Sequence, residues 1–116
     1  MKHGAIYEKS MAFAVRIVNL SKYLQQEKKE HVMSKQLMRC GTSIGANVRE
    51  GTYGQSRADF IAKMSIALKE ASEMEYWLEL LLRTKYLTEE QYMSVKEDGS
   101  ELAKILTAIV KSTREK

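Results

Sequence analysis

The chain has 116 residues, 44% of them apolar, with a net charge of +4, one cysteine and no proline. That length suits one domain, residues 1–116, with a single core. The lack of proline and the abundance of Ala, Leu, Met, Glu, Lys, Gln and Arg favour long helices over sheet. A lone Cys40 excludes an internal disulfide and fits a reducing cytoplasm; no apolar run approaches the roughly 20 residues that span a bilayer, so no membrane partner is expected.

The first twenty residues combine a basic start with an apolar stretch, but Arg16 interrupts it and the apolar spacing is helical, so no signal peptide is expected. The spacing predicts a first helix from about Lys9 or Ser10 to Gln26, with Phe13, Ile17, Leu20 and Leu24 on one stripe. Met11, Val15 and Val18 form a second apolar line, which points to a wide core contact or, preferably, a subunit interface. The polar run from Gln25 to Glu30 reads as a short join.

A second helix is predicted to start between Lys28 and Val32, with Met33, Leu37, Cys40, Ile44 and Val48 on one face. Gly41 and Gly45 lie one turn apart on it, and glycine costs up to about 1 kcal/mol per helical site relative to alanine. With Thr42 and Ser43 alongside, this segment needs neighbours to hold it, and close backbone approach by another helix is the expected compensation. The helix is expected to break at Gly51-Thr52-Tyr53-Gly54, with glycine in the left-handed conformation.

Ser56 followed by Asp59 marks the start of a third helix, from Arg57 to Thr84 or Lys85. Phe60, Met64, Ala67, Ala71, Met74, Leu78 and Leu81 alternate steps of four and three, the repeat of left-handed bundle packing. Ala67 and Ala71 permit close contact, expected opposite the glycines of the second helix. Ile66, Trp77 and Leu80 make a second apolar patch that again points to an interface. Thr88 with Gln91 caps a fourth helix, whose apolar side is Tyr92, Val95, Leu102, Ile105, Leu106, Ile109 and Val110. The group Glu97-Asp98-Gly99-Ser100 weakens that pattern and leaves room for a kink or a short interruption. The tail KSTREK is expected to fray. Four helices with short joins give an all-α, up-down-up-down antiparallel four-helix bundle.

Charge is uneven: residues 1–55 carry nine basic and four acidic residues, residues 56–116 ten basic and eleven acidic. Lys22, Lys28, Lys29, Lys35, Arg39 and Arg49 lie off the expected core, which makes backbone-dominated nucleic-acid binding the leading functional candidate. Metal binding is poorly supported: His3 falls in a start expected to be disordered, His31 stands alone, and neither shares ligand spacing with Cys40. Cys40 has no adjacent base, and the glycines match no phosphate loop, so neither catalytic residues nor cofactors are expected.

Two stretches are familiar as a pair: QLMRCGTSIGANVREG, then QSRADFIAKMSIALKEASEMEYWLELL. Together they resemble the four-helix bundle proteins encoded by bacterial 23S rRNA intervening sequences. The shared positions are Gln36, Leu37, Arg39, Ser43, Ile44, Ala46, Asn47, Glu50 and Gly51 in the first stretch. In the second they are Phe60, Lys69, Glu70, Ala71, Glu73, Tyr76, Trp77 and Leu78. Cys40 departs from the pattern, where serine or alanine is usual. The resemblance implies a homopentamer. It also implies kinship with the accessory variability determinant of diversity-generating retroelements, a basic pentameric barrel that binds nucleic acid and a reverse transcriptase. Arg39, Asn47 and Glu50, with Glu70 and Glu73, are expected to form one inter-helix polar network that fixes register.

The expectation is a non-enzymatic, homopentameric RNA- or DNA-binding accessory protein. The alternative is a scaffold that recruits a reverse transcriptase or other enzyme partner without touching nucleic acid.

Overall fold

A computed structural model of the protein describes residues 4–114, all four of whose regular elements are helices. They are α1 (Gly4–Gln26), α2 (Met33–Thr52), α3 (Arg57–Arg83) and α4 (Glu89–Arg114). No strand occurs among the described residues, and no helix there is long and apolar enough to cross a membrane. His3 lies outside the described residues.

Each neighbouring pair runs antiparallel, as the cross-contacts show. Ser21 meets Ser34 while Ser10 lies under Gly45; Arg39 reaches Glu73 while Glu50 reaches Lys63. On the far side, Lys9 pairs with Glu101 and Arg16 with Asp98. A 27-residue helix is ~40 Å long, so the 45 × 20 × 20 Å envelope is one helix long and two helices wide.

The core follows the apolar periodicity. Phe13, Ile17 and Leu24 of α1, Leu37, Cys40, Ile44 and Val48 of α2, and Met64 to Leu81 at bundle spacing on α3 are all buried. Burying each large side chain contributes about 1.5–3 kcal/mol. The α1 stripe extends one turn further back than the spacing predicts, because Ile6 is also buried and Ser10 continues the phase. Serine at positions 10 and 21 hid that phase; both are buried where α1 and α2 come closest.

The glycines of α2 do allow close approach, but to α1 rather than to Ala67 and Ala71. A Cβ on Gly41 would lie 2.7 Å from Ile17 Cγ2, and one on Gly45 would lie 3.3 Å from the Ser10 carbonyl oxygen. Gly51 stays helical and is pressed against α3, where a Cβ would meet Met64 and Lys63. At the joins the left-handed residues are instead Lys29 and Lys85, at φ 58° and 71°. Lys85 closes α3, with the Tyr86 N–H bonding the Leu81 carbonyl and the Lys85 N–H the Leu82 carbonyl.

Caps fall where the sequence places them for α3 and α4. Ser56 Oγ accepts from the Asp59 N–H at 3.1 Å. Thr88 and Gln91 bond reciprocally, side chain to backbone, at 3.1 and 2.9 Å. Helix α4 is continuous through Glu97–Ser100, because Gly99 gives Met74 and Phe13 the space a side chain would take. It runs on to Arg114, further than the polar tail predicts.

Candidate nucleic-acid interface

Helix α1 has no acidic residue between Lys9 and Gln26, and α2 has none before Glu50. The bundle therefore has one half, α1 with α2, whose outer faces are basic or neutral apart from Glu8 and Glu50, and another, α3 with α4, that carries most of the carboxylates. Antiparallel pairing through the 27–32 join then brings Lys22, Lys28, Lys29 and Lys35 to the same end of the molecule. All four are exposed, and none forms an ion pair among the described residues.

Glu30 builds the turn that holds them. The chain leaves α1 through Lys29 in the left-handed region, and the Lys28 and Glu30 N–H groups both bond back to the Leu24 carbonyl. The Glu30 side chain then folds under the start of α2, where its carboxylate accepts from the N–H groups of Val32, Met33 and Ser34 at 3.1, 2.9 and 2.7 Å. The first helical N–H groups have no partner of their own, and the helix dipole favours a negative charge there. Burial alone would raise the Glu30 pKa, but the three backbone donors and the Ser34 side chain outweigh it and hold the carboxyl below its ordinary value. This is why α2 starts at Met33, later than the sequence pattern predicts. Glutamate is not a usual cap, and the sequence offers no separate signal for it. Ser34 completes the join: its Oγ donates to the Glu30 carbonyl, its own carbonyl accepts from Ser21 Oγ, and Gln25 reaches its hydroxyl.

The other two basic candidates stand elsewhere. Arg39 bends across to α3, donating to Glu73 at 2.6 Å and Glu70 at 3.3 Å, with a third contact to Cys40 Sγ. The ion pair with Glu73 raises the Arg39 pKa and lowers that of Glu73. Arg39 thus has less positive field to offer outward than its exposure implies. Arg49 lies four turns along α2 from Lys35, roughly 21 Å away at 1.5 Å per residue. Its guanidinium sits 4.9 Å from the centre of the Tyr7 ring.

Of the five residues expected in one polar network, the structure brings together only Arg39, Glu70 and Glu73. Asn47 donates to Ser43 of its own helix, and Glu50 pairs with Lys63 at 2.7 Å. The reason is distance along the helix: Glu50 is eleven residues from Arg39, about 16 Å.

The same packing brings Cys40, Glu70 and Glu73 within 4.8 Å of one another, a grouping not anticipated from the sequence. Arg39 bonds to all three and already supplies the positive charge such a cluster attracts. Burial pushes the Cys40 thiol up to about 12, so it stays protonated rather than acting as thiolate ligand or nucleophile.

The apolar side chains expected at an interface divide in the same way. Met11, Val15 and Ile66 are exposed and Val18 and Leu80 half-buried, whereas Trp77 packs against the core; Tyr76, not among those expected at an interface, is exposed as well. Between α1 and α2 runs a groove of about 310 Å³, lined by Tyr7, Met11, Ala14, Thr42, Ala46 and Arg49.

Fold and packing define an antiparallel four-helix bundle with one basic half. Residues 2–108 match the 23S rRNA-intervening sequence protein family, and the chain belongs to that family. It is also similar to a solved structure from Bacteroides thetaiotaomicron, described as a protein of unknown function from the S23 ribosomal protein family. The two are 61% identical, with a TM-score of 0.92 over 96% of this chain and 99% of that one. No curated protein matches the chain.

Proposed function

We propose that this protein is a non-enzymatic nucleic-acid-binding accessory protein that acts as a homopentamer in the cytoplasm. The observation that supports the reading is the cluster of Lys22, Lys28, Lys29 and Lys35 on a braced turn, exposed and without ion pairs among the described residues. Lysines held in this way neutralise phosphates, release condensed counterions and contribute affinity without reading sequence. Repetition around a ring multiplies the contacts that one chain offers. The apolar side chains left exposed at Val15, Ile66 and Tyr76 are what subunit contacts would cover. Light scattering tests the ring: five times 13.3 kDa is expected, and a monomeric mass at micromolar concentration refutes it.

A second reading, a scaffold that recruits an enzyme such as a reverse transcriptase, draws on the same exposed apolar side chains. Pull-down from the source cell with and without nuclease separates the two. Partners that vanish on nuclease treatment support nucleic-acid binding, and partners that persist support the scaffold.

A further inference from the structure

We propose that the groove between α1 and α2 is a track for unpaired nucleic acid, with Tyr7 and Tyr53 stacking bases at one end, Arg49 holding a phosphate beside them, and the strand leading to Lys22 and Lys35 at the other. The proposal rests on the nucleic-acid reading above and adds to it the form of nucleic acid and the path it takes.

Three independent features meet in this groove. The first is its lining and the helical phase that carries the same faces onward. Tyr7, Met11 and Ala14 line it on α1, and Thr42, Ala46 and Arg49 on α2. Continuing each face at helical steps leads to Val18 and Lys22 on α1 and to Met38 and Lys35 on α2. From Arg49 to Lys35 is roughly 21 Å. Such a span suits a short single-stranded site, whose known sizes begin at ~4 nucleotides.

The second feature is charge. Between Lys9 and Lys22 on α1 and between Lys35 and Arg49 on α2 no carboxylate flanks the groove, while Glu8 and Glu50 stand next to Tyr7 and Arg49 at the aromatic end. A polyanion laid along that acid-free stretch meets no like charge, and the open floor of Ala14, Gly45 and Ala46 lets it approach the backbone.

The third feature is the aromatic end. Tyr53 is 63% exposed, Tyr7 is partly exposed, the two hydroxyls are hydrogen-bonded, and Arg49 lies over the Tyr7 ring. Flat side chains beside a guanidinium accept bases of any identity by stacking and cation–π contact. A duplex keeps its bases paired and offers them no face, so the aromatic end favours the unpaired form.

The test is a titration of a fluorescent 15-nucleotide deoxythymidine strand against the full-length protein, beside a duplex of the same length. The single strand is expected to bind at least ~5-fold more tightly, and Tyr53→Ala to remove at least ~5-fold of that affinity, the lower end of one stacked base. Arg49→Ala is expected to reduce the salt slope by about 0.7, the value for one single-strand phosphate contact. Ala46→Glu, which places a carboxylate on an exposed position of the floor, is expected to weaken binding with the oligomer mass unchanged. Duplex binding equal to or tighter than the single strand overturns the track. So does unchanged affinity in Tyr53→Ala and Ala46→Glu while alanines at the four turn lysines abolish binding; in that case the broader reading stands. If Ala46→Glu instead breaks the oligomer and leaves strand binding intact, the groove is a contact between copies and the track is refuted. Binding of neither nucleic acid refutes both.

Discussion

Replacing Glu30 tests how the basic turn is built. The carboxylate accepts three backbone N–H groups at the start of α2, and the residue is 6% exposed. In Glu30→Ala, loss of a cap costs about 1 kcal/mol, and the Ser34 N–H, in a fully buried residue, adds roughly 1–2 kcal/mol because water cannot readily replace the lost acceptor. The sum is about 2–3 kcal/mol, or roughly 8–12 °C in Tm at ~4 °C per kcal/mol for a chain of this size. Glu30→Gln keeps an acceptor and loses the charge at the helix dipole, so about 1 kcal/mol is expected. The pH dependence carries a second signature. The Glu30 pKa is lowered on folding, so the folded state binds its proton less readily than the unfolded chain. The stabilisation is complete above the unfolded value of 4.5 and is lost as pH falls through the lower folded value. Thermal melts of parent and Glu30→Gln between pH 7 and pH 3 should therefore converge on acidification. A Tm for Glu30→Ala within a degree or two of the parent, or a constant gap between parent and Glu30→Gln across that range, refutes the capping role.

Two further substitutions separate tight from tolerant glycines. Gly41→Ala puts a methyl 2.7 Å from the stiff Ile17 side chain, where overpacking of about 1–3 kcal/mol exceeds the helix-propensity gain of about 1. Gly99→Ala meets chiefly the flexible end of Met74, and the propensity gain should leave it at or slightly above parental stability; urea midpoints in the reverse order contradict this packing. Cys40, with its thiol held near 12 by burial, should react with a disulfide reagent at pH 8 only as fast as the protein unfolds. Rapid labelling of the folded protein contradicts that assignment.

The legible part of the structure was the part written in periodic apolar residues. The four-and-three spacing from Met64 to Leu81 and the Thr88–Gln91 box translate directly into a buried stripe and a capped helix. What the pattern concealed had polar or small side chains in structural roles. Ser10 interrupts the hydrophobic phase near the start of α1, where Gly45 of α2 presses on it, so the apolar spacing places that start too late. Lys29 and Lys85 occupy left-handed positions where glycine is the usual residue, so nothing in the sequence marks them, whereas Gly51, expected to be left-handed, is helical. At the candidate interface, residue type identified the lysines, but only the antiparallel turn shows that four of the six cations share one end. Arg39 and Arg49 are turned to different partners by contacts from α3 and from Tyr7, which are distant in sequence.

The most direct test of the proposed function is the salt dependence of RNA affinity in the parent and in a variant with alanine at Lys22, Lys28, Lys29 and Lys35. A plot of log affinity against log salt is expected to be linear, with a slope of about −3 or steeper, since four phosphate contacts at roughly −0.7 each set the minimum for a single strand. The variant should lose most of that slope and most of its affinity while keeping its melting temperature. An affinity that is unchanged over a tenfold rise in salt, or a variant that binds as the parent does, contradicts the proposal that this basic turn holds nucleic acid.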